Sequence, residues 1–97
     1  VSRRLPSGCR VTRAAGMPLL QVAALLQQAL LYIGNDSGMS HMAAALGTPT
    51  VAIFGPTDPR VWMPHGPAVC AVPGAEGGWP TVDAVLETAL RLLSELA

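Results

Sequence analysis

Twice in this chain a short apolar run stops at a glycine and a helical pattern begins within a few residues. Leu31-Tyr-Ile-Gly34 leads through Asn35-Asp-Ser-Gly38, and Thr50-Val-Ala-Ile-Phe54 leads through Gly55-Pro-Thr-Asp-Pro59. Apolar runs bounded by turn residues and alternating with helical periodicity predict βαβ units, with a parallel sheet and right-handed crossovers. This repeated junction constrains the fold more than any bulk property does.

The rest of the chain fits that alternation. Residues 9–13 read as a short strand with weak alternation, and 18–30 as a helix opened by Pro18. Leu19, Val22, Ala23, Leu26, Ala29 and Leu30 recur at three and four. Leu20 and Leu25 make this helix apolar nearly all round, so it is expected to be covered on more than one side. A helix is predicted over 38–46, with Gly47 as its C-terminal cap and Pro49 beyond it. Residues 59–63 suit one helical turn, and 68–72 a further strand. Residues 73–80 read as a Gly- and Pro-rich, solvent-facing stretch. The last helix, 81–96, has Thr81 as its N-cap. Its apolar face is Val82, Val85, Leu86, Ala89, Leu90, Leu93 and Leu96, and Glu87 and Arg91 pair at i,i+4. The predicted fold is α/β: one small parallel sheet of about four strands with flanking helices, in a single unit over 1–97.

Composition narrows the partners. The 97 residues carry six basic and six acidic side chains, for a formal net charge of zero. That gives no electrostatic reason to expect nucleic acid or an anionic membrane. Hydrophobic residues make up 51% and charged residues 12%, against roughly 25% charged in an average protein. Disorder is excluded. So apolar a chain of this length is expected to keep an apolar face for another domain or a second copy. Cys9 and Cys70 read as buried free thiols, and no ligand cluster suggests a metal or cofactor. No apolar stretch is long enough to span a membrane, and none follows Arg3 and Arg4 as a secretory signal requires. The cytoplasm is the expected location.

In an open parallel sheet, ligands sit at the carboxyl ends of the strands. Both glycine-led loops leave such ends. A helix start offers unpaired N–H groups and partial positive charge, and Gly38 lets a ligand approach the backbone. Ser37 adds a hydroxyl. Together they suit phosphate or diphosphate, by neither a Walker A nor a GxGxxG mechanism. A plainer reading stands beside this one: Asp36 or Ser37 as an ordinary N-cap. His41, four residues after Ser37, is either part of the site or a packing residue. No nucleophile–base–acid triad is apparent. In the second loop, Thr57 or Asp58 caps the turn that Pro59 starts, or Thr57 donates to phosphate. Arg60 meets a diphosphate or is solvated, Trp62 covers a ligand or packs, and His65 belongs to a loop.

Residues 34–59 closely resemble the signature stretch of glycosyltransferase family 9, the heptosyltransferases of lipopolysaccharide core synthesis and their relatives. The match includes Asp-Ser-Gly-x-x-His at 36–41, the Leu-Gly helix end at 46–47, and Phe-Gly-Pro-Thr-Asp-Pro at 54–59. The resemblance implies a two-domain GT-B enzyme using nucleotide-activated sugars, often ADP-heptose. It implies that this chain is the carboxyl-terminal, donor-binding part, with a Rossmann-like fold. By position, Ser37, Gly38 and Met39 meet the diphosphate, Asp36 faces the sugar, His41 lies beside them, and Thr57 is secondary. None of these is a catalytic base. Full members of the family are much longer. The amino-terminal acceptor domain and its base are absent, as is the basic residue usually given to the donor phosphates; this chain has no Lys. The expectation is therefore no transferase activity from the chain alone. The alternative is a non-enzymatic, self-associating module derived from such an enzyme.

Overall fold

The computed structural model describes residues 8–35, 37–56, 59–74 and 78–96. The elements, in chain order, are α1 (Leu19–Gln28), β1 (Tyr32–Asn35), α2 (Gly38–Ala45), β2 (Thr50–Ile53), α3 (Pro59–Trp62), β3 (Val69–Val72) and α4 (Val82–Leu96). The strands form one parallel sheet in the order β1-β2-β3. Tyr32 stands beside Thr50, and Thr50 beside Val69.

The sheet therefore has three described strands, not about four. The stretch expected as a strand at 9–13 forms no regular element and is exposed throughout, with Val11 67% accessible. Its sequence explains this. Arg10 and Thr12 alternate with Cys9, Val11 and Arg13, so neither face is apolar enough to bury against a helix. Cys9 is exposed with it, and Cys70 is half-buried; both are free thiols. The expectation of two buried thiols fails at Cys9 for the same reason.

Strand alternation assigns the two faces of the sheet. Val51, Val72, Ala89 and Leu92 form a buried cluster, with Leu31, Cys70, Ala84 and Val85 packed around it. This is the α4 face. On the opposite face, α2 packs on β1 and β2, and α1 packs on α2. Ala43, Ala44, Ala52 and Thr50 are fully inaccessible there. Small residues on both sides let α2 lie close to the sheet. The result is a three-layer, doubly wound arrangement.

Hydrogen bonds fix the joints. α2 ends as predicted, in a left-handed Gly47 at φ +85°. The Gly47 N–H donates to the Ala44 carbonyl at 3.0 Å, and the Thr48 N–H to the Ala43 carbonyl at 3.1 Å. These two bonds make a Schellman motif. Thr48 Oγ1 then donates to the Leu26 carbonyl at 2.6 Å, tying the end of α1 to the end of α2. Thr50 Oγ1 donates to the Thr48 carbonyl at 2.8 Å.

Two helices depart from their predicted faces. α1 buries only Leu26, while Leu19, Leu20 and Leu25 stay exposed. The coverage expected on several sides is not provided by the described residues. α4 is turned so that Val85, Ala89 and Leu92 meet the sheet. Val82, Leu86, Leu90 and Leu96, expected on the same face, are more than half exposed. The helix has two adjacent apolar stripes, and sequence periodicity does not say which one the sheet takes. Thr81 caps it as predicted, its Oγ1 accepting the Ala84 N–H at 3.1 Å. The Arg91–Glu87 pair forms at 3.1 Å on the solvent side.

Candidate functional site: the carboxyl ends of β1 and β2

The chain leaves β1 at Asn35 and enters α2 at Gly38, with Ser37 as the N-cap residue in extended conformation. The Ser37 carbonyl accepts the His41 N–H at 3.2 Å, which starts the helical ladder. The Ser37 side chain makes no capping bond. One of the two plainer alternatives is thereby settled: Ser37 is not a side-chain cap, and its hydroxyl is exposed. The first-turn N–H groups of a helix have no intrahelical partner. Here the first of them belongs to Gly38, where a Cβ would meet nothing within 4 Å. Met39 and His41 are exposed on the same turn.

The start of α2 is held in place by residues that sequence reasoning passed over. Ser40 is fully buried. Its Oγ donates to the Asn35 carbonyl and lies 3.4 Å from the Tyr32 hydroxyl. The last residue of β1 is thus bonded to the first turn of α2. Gly34 permits this, because a Cβ there would stand 2.6 Å from Cζ of Tyr32. The phenol lies along the strand over the glycine. The only sequence signal for Ser40 is a small hydroxyl residue in a first helical turn among apolar neighbours.

The second loop is built in a similar way. β2 ends at Ile53, and the Phe54 N–H still donates to the Val72 carbonyl at 2.9 Å. At Gly55 a Cβ would lie 2.7 Å from Cε2 of Trp79. The indole is laid directly on the loop backbone. The stretch expected to face solvent at 73–80 therefore contributes the aromatic residue of this loop. Trp62, the aromatic that sequence offered as a cover, is 55% exposed on α3, and Trp79 is itself 59% exposed, as expected for its stretch. Beside Trp79 a cleft of about 420 Å³ opens between β1, β2 and the start of α4, lined by Ile33, Ile53, Pro80, Val82, Val85 and Leu86 among others. Its walls are almost wholly apolar.

Asp36, Thr57 and Asp58 lie outside the described residues. Ser37, Gly38, Met39 and His41 come together on one turn at the end of β1. Arg60 is exposed on α3, and His65 is exposed in the loop after it. Among the described residues no group of three His, Cys, Asp or Glu side chains stands together. No helix among them is long and apolar enough to cross a membrane. A helix start without a side-chain cap from Ser37, a bare glycine and an exposed serine at the carboxyl end of a parallel strand together offer several donors to an anion.

These features define an α/β protein of the open parallel-sheet class, with its candidate site at the strand ends. The profile of glycosyltransferase family 9 (heptosyltransferase) matches residues 1–87, and the chain belongs to that family. A lipopolysaccharide heptosyltransferase 1 of Escherichia coli O18:K1:H7 is 39% identical over 71 residues, covering 71% of this chain and 22% of the relative. A lipopolysaccharide heptosyltransferase 3 of Escherichia coli is 41% identical over 64 residues, covering 62% of this chain and 19% of the relative. A lipooligosaccharide heptosyltransferase 2 of Haemophilus influenzae is 30% identical over 113 aligned positions, covering 99% of this chain and 33% of the relative. The chain thus spans between a fifth and a third of the length of these relatives. No solved structure matches it significantly.

Proposed function

We propose that this chain forms part of the donor wall of a family 9 glycosyltransferase. The diphosphate of a nucleotide-activated sugar, of the ADP-heptose kind, binds at the start of α2. The single observation behind this reading is that start: Ser37 leaves it without a side-chain cap, and Gly38 leaves it open. The N–H groups of Gly38 and Met39 and the Ser37 hydroxyl donate to phosphate oxygens. Asp36 accepts from a sugar hydroxyl, His41 borders the site, and Thr57 donates from the second loop. The site holds one diphosphate and needs no metal ion from this chain's residues.

In the transfer, the bond between the anomeric carbon and the diphosphate oxygen breaks as the acceptor oxygen bonds to that carbon. The acceptor's proton passes to a base of the acceptor-binding domain. Charge grows on the departing diphosphate, and fixed N–H groups at a helix start stabilise it without reorganising. Acceptor, base and donor must meet in one closed cleft. The chain by itself is therefore inactive, and its working context is a longer cytoplasmic enzyme. The names of the heptosyltransferase relatives support the substrate class.

The test is an amide-shift titration of the labelled chain with ADP, with Asp36→Ala as control. Shifts confined to residues 36–41 and 55–58 are expected. A well-folded chain with no shift at millimolar ADP would sink the claim that these residues bind the donor by themselves.

A further inference from the structure

We propose that Ser40 and Tyr32 are positioning residues for the anion site. Together they hold the stretch between the end of β1 and the first turn of α2 in the geometry that receives a diphosphate. This rests on the donor reading above and adds to it two residues that act without touching the ligand.

Ser40 is the third residue of α2, and a helical side chain leans toward the start of its own helix. Its hydroxyl reaches back to the Asn35 carbonyl at the end of β1. That bond closes a ring from residue 35 to residue 40. Asp36, Ser37, Gly38 and Met39, the residues assigned to the sugar and the diphosphate, are the ones it encloses in sequence. The Ser37 side chain makes no capping bond, and helix ends without a hold fray. Fixed donors serve a ligand only when held within about 0.5 Å of the productive geometry. The ring supplies that hold from behind, while the position of a Cβ at Gly38 stays open in front.

Packing alone does not call for this hydroxyl. α2 buries Ser40, Ala43 and Ala44 completely. An alanine at 40 fills such a place without the cost of burying a polar group. What the serine adds is its bond.

Tyr32 governs how the serine points. A carbonyl can only accept, so Ser40 gives its one proton to Asn35. In the 3.4 Å contact between the two hydroxyls, Tyr32 is then the donor. That distance is long for an O–H···O bond, which makes Tyr32 the lesser partner, acting through Ser40. Gly34 keeps the phenol in reach, since a Cβ there would stand 2.6 Å from its Cζ.

Thr48 provides a matched comparison. It is 3% exposed, and its hydroxyl donates to the Leu26 carbonyl at 2.6 Å. It too is a buried hydroxyl tying α2 to a neighbouring element, but it lies beyond the opposite end of the helix from Gly38.

Amide-shift titration of the labelled 97-residue chain with ADP, with urea unfolding of each variant, tests the proposal. Ser40→Ala is expected to weaken ADP binding at least about tenfold, about 1.4 kcal/mol. Thr48→Val is expected to lower the urea midpoint comparably and leave ADP affinity unchanged. Tyr32→Phe is expected to weaken binding about threefold alone and to add nothing in a Ser40→Ala background. It decides the matter if the Ser40→Ala chain misfolds. Four results overturn the proposal while leaving the donor reading intact: wild-type affinity in a folded Ser40→Ala chain, an equal loss in Thr48→Val, wild-type affinity in Tyr32→Phe, or a Tyr32→Phe loss that persists without Ser40. A folded wild-type chain that shows no shift at millimolar ADP removes the donor reading and this proposal with it.

Discussion

α2 and α4 both begin after a hydroxyl residue, and they use it differently. Thr81 accepts the Ala84 N–H and closes the start of α4. Ser37 makes no such bond and leaves the start of α2 to whatever approaches Gly38. The first arrangement is complete without a ligand. The second has donors to offer. What separates them is the neighbourhood. α4 follows the Trp79-Pro80 corner packed on Gly55, whereas α2 follows the carboxyl end of a parallel strand and is pinned one turn further in by Ser40. A helix start becomes a candidate ligand site when its position is secured by some other group than its cap.

The comparison is open to attack at three levels. The largest effect belongs to the packing that seats α4. Leu92 is 5% exposed in the core, and Leu92→Ala is expected to cost about 2–5 kcal/mol by urea unfolding. Leu20→Ala on exposed α1 is expected to stay within about 0.5 kcal/mol. Equal losses would mean that α1 is as well covered as α4. Next is Ser40→Ala, which removes the bond between α2 and the Asn35 carbonyl. A loss of about 1–3 kcal/mol is expected, with broadened amide signals at residues 37–41. A stable variant with those signals unchanged would show that the pin is dispensable. The smallest effect tests the caps themselves. Thr81→Ala is expected to cost about 1 kcal/mol and leave ADP-induced shifts intact. Ser37→Ala is expected to leave stability within about 0.5 kcal/mol and reduce those shifts. The reverse outcome would make Ser37 the structural cap and remove the contrast.

Much of this was legible in the sequence because the signals are local. Gly47 before a proline predicted a left-handed helix end, and the observed φ of +85° with its two Schellman bonds agrees. Thr81 as a cap and the i,i+4 pair of Glu87 and Arg91 are also local, and both formed. The parallel alternation and the family followed from the junctions at 34–38 and 55–59, and the family match over residues 1–87 agrees. The misses are all non-local. Residues 9–13 have strand-like alternation, but a strand needs a neighbour and an apolar face. The loop expected at 73–80 is a loop where described, but its contact with the second site loop, Trp79 on Gly55, arises only from the return of the chain past Gly55. Ser40 carries no motif of its own.

The sequence by itself determined where the chain turns, which runs beyond residue 18 are helix and which are strand, and that the sheet is parallel. Those are matters of backbone freedom and apolar period, settled within a few residues. Only the tertiary structure decided which stripe of α4 meets the sheet, that Leu19, Leu20 and Leu25 of α1 are exposed, and that the Ser37 side chain does not cap α2. These depend on what each surface finds opposite it, and burial and hydrogen bonding are properties of pairs of surfaces that no single segment carries.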